Sequence, residues 1–408
     1  MAANISSNLN VADDPWKGCN PLDPAFRDNP YPALKHLREI DPVNQTPLGI
    51  WRLLRYDDVQ KLLTGVRTGV RTTDGLMFGA NESPTAQGLF MLQQDPPNHT
   101  RLRRLVSHAF TPRALNAWRE EIQRVVDECL DQVASHGQMD VIKDLALPVP
   151  STIICEMLGV RVEDRDRFTQ WTAQATFGLA AALLPPDMVA MAQTAAGHLI
   201  DYFVKLIAER RANPRNDLLS MLISAEEAGD KLSFEELMAQ SIGLLIAGFE
   251  TTIGLIGNGV RALVRNPDQL AKLRERPDLA PKAIQECLRF EGPIVLTPRV
   301  LHEDAEFGGK LIPKNTMVWA MLASANRDPE KFADPDRLDI ERDASNHVAF
   351  GGGAHFCLGY RLAELEAQAA IGTLARRFKD LRLESDTVEW GGSLFRVPGK
   401  LPISFGMV

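Results

Sequence analysis

Residues 350–359 read FGGGAHFCLG, and the stretch that follows, YRLAELEAQAAIGTLARRF (360–378), carries a helical pattern. Three consecutive glycines let the main chain turn tightly and approach another group closely. A helix that starts directly after Cys357 aims its unpaired N–H groups and the positive end of its dipole back at the sulfur. That setting favours thiolate over thiol. A thiolate in such a loop is either a nucleophile or a metal ligand, and the loop alone does not choose between them.

The bulk of the chain narrows the choice. With 408 residues, 45% of them hydrophobic, it can bury a large core in one large fold or two domains. A net charge of −8 with 24% charged residues makes no case for nucleic-acid binding. Five cysteines (Cys19, Cys129, Cys155, Cys287, Cys357) are scattered, with no CxxC pair. This argues against a disulfide framework or a zinc site and fits a reducing cytosol. The N-terminus has no apolar h-region and no stretch approaches an 18-residue apolar span, so the expectation is a cytoplasmic protein without a membrane segment.

Along the chain, residues 1–30 are polar and read as a loosely attached arm, with a single domain over 31–408. Residues 64–98, rich in Gly, Thr and Pro, read as a long loop, and long loops inside domains tend to be functional. From Asn98 to Asn213 helix follows helix, broken at LPVPST, GVRVEDRD and LLPPDM. Ser233 and Glu236 form a capping box that starts a helix reaching to about Arg265, some ~45–50 Å long. Its middle, SIGLLIAGFETTIGLIGNGV (241–260), is apolar on nearly every side and must run through the interior. Strand-like pieces are short: RVLHED, AEFGGKLI, TMVWAML and KLPISF. The fold class is mainly α with a small β portion.

Four motifs carry chemistry. AGFETT (247–252) places Glu250, Thr251 and Thr252 inside the buried helix, where a carboxylate is costly unless hydrogen-bonded or working as a proton carrier. The plainer account is a packing glycine with threonines bonding back to i−4 carbonyls. ECLR puts Glu286 and Arg289 one turn apart, a spacing that usually means a surface pair and recurs at Glu121/Arg124. Arg337, in a Pro-x-Arg turn, could join them. In DPPNHTRLRRLVSHAF, His99 and Arg103 share one helix face while Arg101, Arg104 and His108 lie near the opposite one. His36, His136, His198, His302 and His347 have no partner at metal-ligand spacing, and no P-loop, GxSxG or dinucleotide fingerprint occurs.

Together these elements, spread over about 85–360, resemble the cytochrome P450 family, the haem-thiolate monooxygenases. The cysteine loop fits the pattern Phe-x-x-Gly-x-His-x-Cys-x-Gly at Phe350, Gly353, His355, Cys357 and Gly359. AGFETT fits the oxygen-activation motif, with Glu250 where an aspartate is commoner in bacterial members. PDRL carries Leu338 where the family has an aromatic. The resemblance implies a long central helix over haem b and Cys357 as its axial ligand, a thiolate that favours O–O cleavage. It implies haem contacts from His99, Arg103, Arg299, His355, Phe350, Gly359, Ala247 and Gly248, with the two arginines and two histidines neutralising the propionates. It implies proton delivery to bound O2 through Thr251 and Glu250, and a structural core of Glu286, Arg289 and Arg337.

The resemblance also places Met77, Phe78, Phe90, Phe177, Leu244, Ile294, Val295, Leu296, Leu394 and Phe395 around an apolar substrate, with Arg396 the one cation nearby. A core-filling role is the plainer one for Leu244 and Leu394. The chain has no flavin or iron–sulfur motif, so electrons are expected from outside, and the resemblance implies a [2Fe–2S] ferredoxin with its NAD(P)H-dependent reductase, docking near Arg101 and Arg104. A monomer is expected. Two rivals are a peroxide-using or isomerising haem-thiolate enzyme and a haem sensor. The retained Glu250–Thr251 pair weighs against the first, and the lack of an output domain before Val408 weighs against the second.

Overall fold

The computed structural model describes residues 16–21, 23–74, 89–178, 185–227, 232–391 and 395–407. Its organising element starts at Ser233. The Ser233 hydroxyl accepts from the Glu236 N–H and the Glu236 carboxylate accepts from the Ser233 N–H, so the expected capping box is closed. The helix then runs Phe234–Arg265. By hydropathy it holds an 18-residue window long and apolar enough to cross a membrane, contrary to the expectation that no stretch approaches that length. That window is 78% buried inside the protein, so other helices, not lipid, cover it.

Glycines explain how so much packs against one helix. A Cβ at Gly254 would lie 2.7 Å from Pro293, at Gly257 2.6 Å from Ile142, and at Gly259 2.7 Å from Ile371. Three neighbours thus cross the segment GLIGNG at distances only glycine permits. One core cluster joins its second half to helices Arg119–Val133, Ala280–Glu291 and Tyr360–Arg377. A second joins its first half to Arg165–Thr176, Pro186–Ala212 and Leu218–Glu227.

The β portion is small and lies apart from the helices' centre. A five-stranded sheet has the order Val43–Gln45, Trp51–Leu53, Met317–Ala320, Thr297–Leu301, Thr68–Gly69, with one parallel pair in the middle. Pro402–Met407 pairs with Gln138–Asp140 and Phe378–Leu383, and Ala305–Phe307 turns through Gly308–Gly309 onto Lys310–Ile312. Each expected strand is present, and the fold class stands as expected.

Two expectations change. LPVPST is not a break but a start: helix Pro148–Leu158 begins there with proline in its first turn, where the missing N–H costs nothing. Residues 16–30 are not a loose arm. Trp16 stacks on Trp319, Cys19 and Phe26 are buried with Leu34 and Leu37, and a short helix Pro24–Asp28 is capped by Asp23. Trp16, Cys19 and Phe26 of that polar stretch find the core.

Candidate functional site

Gly351 and Gly353 adopt positive φ (71° and 66°), the left-handed region that favours glycine. A Cβ on Gly353 would sit 2.2 Å from the Leu63 carbonyl, and one on Gly352 3.0 Å from Leu63 Cβ. These glycines therefore seat the loop on helix Tyr56–Thr64. The Cys357 N–H donates to the Phe350 carbonyl (3.0 Å), and the Phe350 ring lies among His347, Phe356 and Tyr360. Gly359 caps helix Tyr360–Arg377, and its N–H bonds the Cys357 sulfur.

Burial pushes the Cys357 thiol up to about 11, against the lowering pull of the Gly359 N–H and the Arg103 cation. The thiolate expected from the helix start is thus not favoured by the protein alone. Desolvation outweighs the Gly359 N–H and the Arg103 charge, and a directly bound metal cation would invert that balance.

Helix Asn98–Ser107 brings His99 and Arg103 to the loop, with the His99 and His355 rings 4.3 Å apart. Arg299, on strand Thr297–Leu301, is 5% exposed and donates to the Thr297 hydroxyl and the Pro298 carbonyl. Burial lowers Arg299 to about 10, so it remains a cation at neutral pH. Burial, then the charges of His355 and Arg103, lower His99 to about 4; His355 is lowered too, again chiefly by burial. Burial thus disfavours the imidazolium form at both histidines. His99 Nδ1 and His355 Nε2 are buried without a hydrogen-bond partner among the described residues.

Asp95 was missed by sequence reasoning. It accepts from the Val70 and Arg71 N–H groups and lies 3.8 Å from His355 Nε2 and 3.9 Å from His302 Nε2. Its place four residues before His99, on the same side of a helix start, was the available signal. His302, read as solitary, contacts the Arg71 carbonyl at 2.8 Å.

On the central helix, Ala247 is exposed and Gly248 and Thr251 are half-buried, while the residues around them are mostly buried. A Cβ on Gly248 would meet nothing closer than Ile154 Cδ1 at 3.7 Å. Among the described residues, this narrow stripe is the side of the segment least covered by protein. The Thr251 hydroxyl donates to the Ala247 carbonyl (2.9 Å), the back-bond that also explains helix threonines in general. Glu250 is buried, and its charge reaches Arg27.

Glu286 and Arg289 form a two-pronged pair (2.7 and 2.8 Å) with both side chains fully buried. The third member is Arg342, whose Nε lies 3.2 Å from Glu286 Oε1. Arg337, proposed for that role from sequence, points outward to Asp339; only its backbone carbonyl takes part, accepting from Arg289. The chain must turn once more after Leu338 before an arginine can reach inward, which no local spacing reveals.

Of the residues placed around a substrate, Phe90 packs against Gly243, and Leu244 and Val295 belong to core clusters. Phe177, Ile294, Leu296 and Phe395 are half-buried. Met77, Phe78 and Leu394 lie outside the described residues. Arg396 is buried and paired with Glu291 at 2.7 Å. Arg104 is exposed, whereas Arg101 pairs with Glu236 on the central helix.

A half-buried thiol with a backbone donor, two arginines and two imidazoles with buried, unanswered nitrogens define a site for a dianionic metal cofactor. This donor set fits a haem held by cysteine. The family model for cytochrome P450 matches residues 52–389. The chain is 41% identical to cytochrome P450 107B1 of Saccharopolyspora erythraea, over 94% of this chain and 97% of that protein. It is 40% identical to a vitamin D(3) 25-hydroxylase of Pseudonocardia autotrophica, over 93% and 95%. The solved structure of P450BioI in complex with hexadec-9Z-enoic acid ligated acyl carrier protein superposes with a TM-score of 0.87 at 38% identity, covering 93% of this chain and 99% of that one. The chain belongs to the cytochrome P450 family: it is a haem-thiolate monooxygenase of bacterial type.

Proposed function

We propose that this monooxygenase inserts one oxygen atom of O2 into a neutral, predominantly apolar, medium-sized molecule, with electrons from an external [2Fe–2S] ferredoxin and its NAD(P)H-dependent reductase. The observation that carries the substrate class is the state of Arg396. The cation nearest the expected pocket is occupied by Glu291 and by backbone carbonyls, and Arg299 belongs to the haem cluster. A substrate carboxylate would be buried without a partner, which is costly. The apolar molecules named for two of the relatives, vitamin D(3) and a hexadecenoic chain, agree with this class.

Haem, when bound, supplies the iron on which O2 is activated. Cys357 Sγ holds that iron, and the Gly359 N–H moderates the charge on the sulfur. Arg103 and Arg299 hold the propionates by charge, and His99 and His355 by N–H donation. The Thr251 hydroxyl hydrogen is engaged by the Ala247 carbonyl, so the Oγ1 lone pairs are the ones directed away from the helix and able to accept. Glu250, buried one residue earlier, is the group that takes up and passes on a proton at its carboxylate. Ferredoxin docks near Arg104; Arg101 serves that surface less directly because Glu236 already holds it. The enzyme works as a cytoplasmic monomer.

The test is a titration of haem-loaded protein with a neutral ester and its parent acid, read as the low- to high-spin shift, followed by turnover with NADH, ferredoxin and reductase. The ester should bind more tightly and be oxidised. Tighter binding of the acid, or turnover with peroxide alone, would sink the reading.

A further inference from the structure

Asp95 brings a negative charge to the end of the site where Arg103, Arg299, His99 and His355 gather to meet two propionates. The structure holds its carboxylate in place. Oδ1 accepts from the Val70 N–H at 2.9 Å, and Oδ2 accepts from the Arg71 N–H at 3.0 Å. Those N–H groups follow strand Thr68–Gly69, which pairs with Thr297–Leu301, the strand that carries Arg299. A Cβ on Gly69 would sit 2.5 Å from Asp95 Oδ2 and 2.4 Å from His302 Cε1, so only glycine leaves room for the carboxylate there. His302 closes the other side, its Nε2 donating to the Arg71 carbonyl at 2.8 Å.

The charge is felt across the site. Asp95 Oδ1 lies 3.8 Å from His355 Nε2, a charge contact longer than a hydrogen bond. Burial lowers the pKa of Arg299, His99 and His355, and in each the Asp95 carboxylate pulls the other way. Asp95 itself is held below the usual carboxylate range. Burial would raise it, but His355, the Val70 and Arg71 N–H groups and His302 together outweigh burial. It is therefore ionised at neutral pH. Two propionates against Arg103 and Arg299 leave Asp95 as the surplus anion of the cluster. A fixed anion beside a redox centre opposes the arrival of an electron, more so where water is excluded.

We infer that Asp95 is a positioning residue that makes the bound haem iron harder to reduce, its fixed charge acting at the propionate end through His355 and Arg299. This rests on the haem-thiolate reading of the site.

The experiment titrates the full haem-loaded chain with dithionite, without substrate, and reads the midpoint potential from the haem absorbance. Asp95→Asn and Asp95→Ala remove the charge, and Asp95→Glu keeps it. Both neutral variants should raise the equilibrium constant for one-electron reduction about tenfold, equivalent to about 59 mV. Asp95→Glu should stay near the wild type. Tm separates charge from packing. Asp95→Ala, which loses both backbone bonds, should melt below Asp95→Asn, which keeps an acceptor, while their potentials agree. Potentials that follow Tm rather than charge overturn the inference, as do neutral variants no easier to reduce than the wild type. So does a set in which no neutral variant holds haem while Asp95→Glu does, which marks a merely structural role. A wild type whose reduced CO complex lacks the thiolate-type spectrum overturns the haem-thiolate reading instead, which is a separate result.

Discussion

Two buried glutamates stand five residues apart on helix Ala280–Glu291, and the protein answers each differently. Glu286 is saturated: Arg289 one turn on, the Asp339 N–H at 2.9 Å and Arg342 at 3.2 Å surround one carboxylate. Glu291 is shared, by Arg396 at 2.7 Å, Arg261 at 3.7 Å and Arg327 at 3.9 Å. Three cations share that one anion. Arg327 also pairs with Asp336 at 3.2 Å, and aromatic faces take part of the remaining charge: Arg327 lies 3.5 Å from the Tyr31 ring centroid and 3.8 Å from that of Phe290, and Arg396 lies 4.4 Å from that of Trp390. The first site locks the loops behind the cysteine; the second ties both chain ends to the central helix. A saturated carboxylate tolerates no loss, whereas a shared one spreads it.

The comparison breaks most readily at Arg289. Arg289→Ala leaves Glu286 charged, fully buried and missing its bidentate partner, so a loss of about 3–5 kcal/mol is expected, read as a large fall in Tm or failure to accumulate folded protein. Glu291→Gln should cost less, about 1.5–3 kcal/mol, because the amide still accepts from Arg396 while aromatic faces retain the other cations. Equal losses at the two sites would refute the distinction between a saturated and a shared carboxylate.

Glu366 sharpens the contrast as a third buried carboxylate, on helix Tyr360–Arg377, whose pKa burial alone raises to about 8. Its folded value lies above the unfolded one. The stability it contributes is therefore complete below the ordinary value of 4.5 and lost as pH rises to about 8. The slope is at most about 1.4 kcal/mol per pH unit. Glu366→Gln should flatten that limb of the Tm–pH profile; an unchanged slope would mean the carboxylate is ionised in the fold. Glu291 has the opposite sign: burial would raise its pKa, but Arg396, Arg327 and Arg261 outweigh burial and hold it low. Its stability is present above the unfolded value and lost in acid. The smallest effects separate two arginines. Arg342→Ala should cost about 1–2 kcal/mol in Tm-derived stability, and Arg337→Ala less than about 0.5 kcal/mol. The reverse order would restore the assignment that spacing alone had favoured.

Legibility followed locality. The capping box at Ser233, the Glu286–Arg289 pair and the His99/Arg103 face each depend on spacings of three or four residues, which a helix converts directly into neighbours. The cysteine loop was legible because its pattern is dense, although its glycines serve the contact with Leu63 at least as much as any cofactor. Arg342 and the hold of Arg27 on the Gly391 and Phe395 carbonyls were not legible. Each makes its contact across tens to hundreds of residues, and nothing in the spacing of a polar segment says which buried partner it meets.

From the amino-acid order alone came the fold class, the long interior helix, the thiol that binds iron and the motif beside it, because periodicity, capping and a ten-residue loop pattern are written in consecutive positions. Charge states and partners were decided only by the tertiary structure. Burial raises the Cys357 thiol and lowers the pKa of His99 and His355. Packing turns Arg337 out and Arg342 in, and it draws the first helix onto the last turn. The physical reason is common to all of these: desolvation and long-range ion pairing depend on which surfaces meet in space, and chain order does not encode that distance.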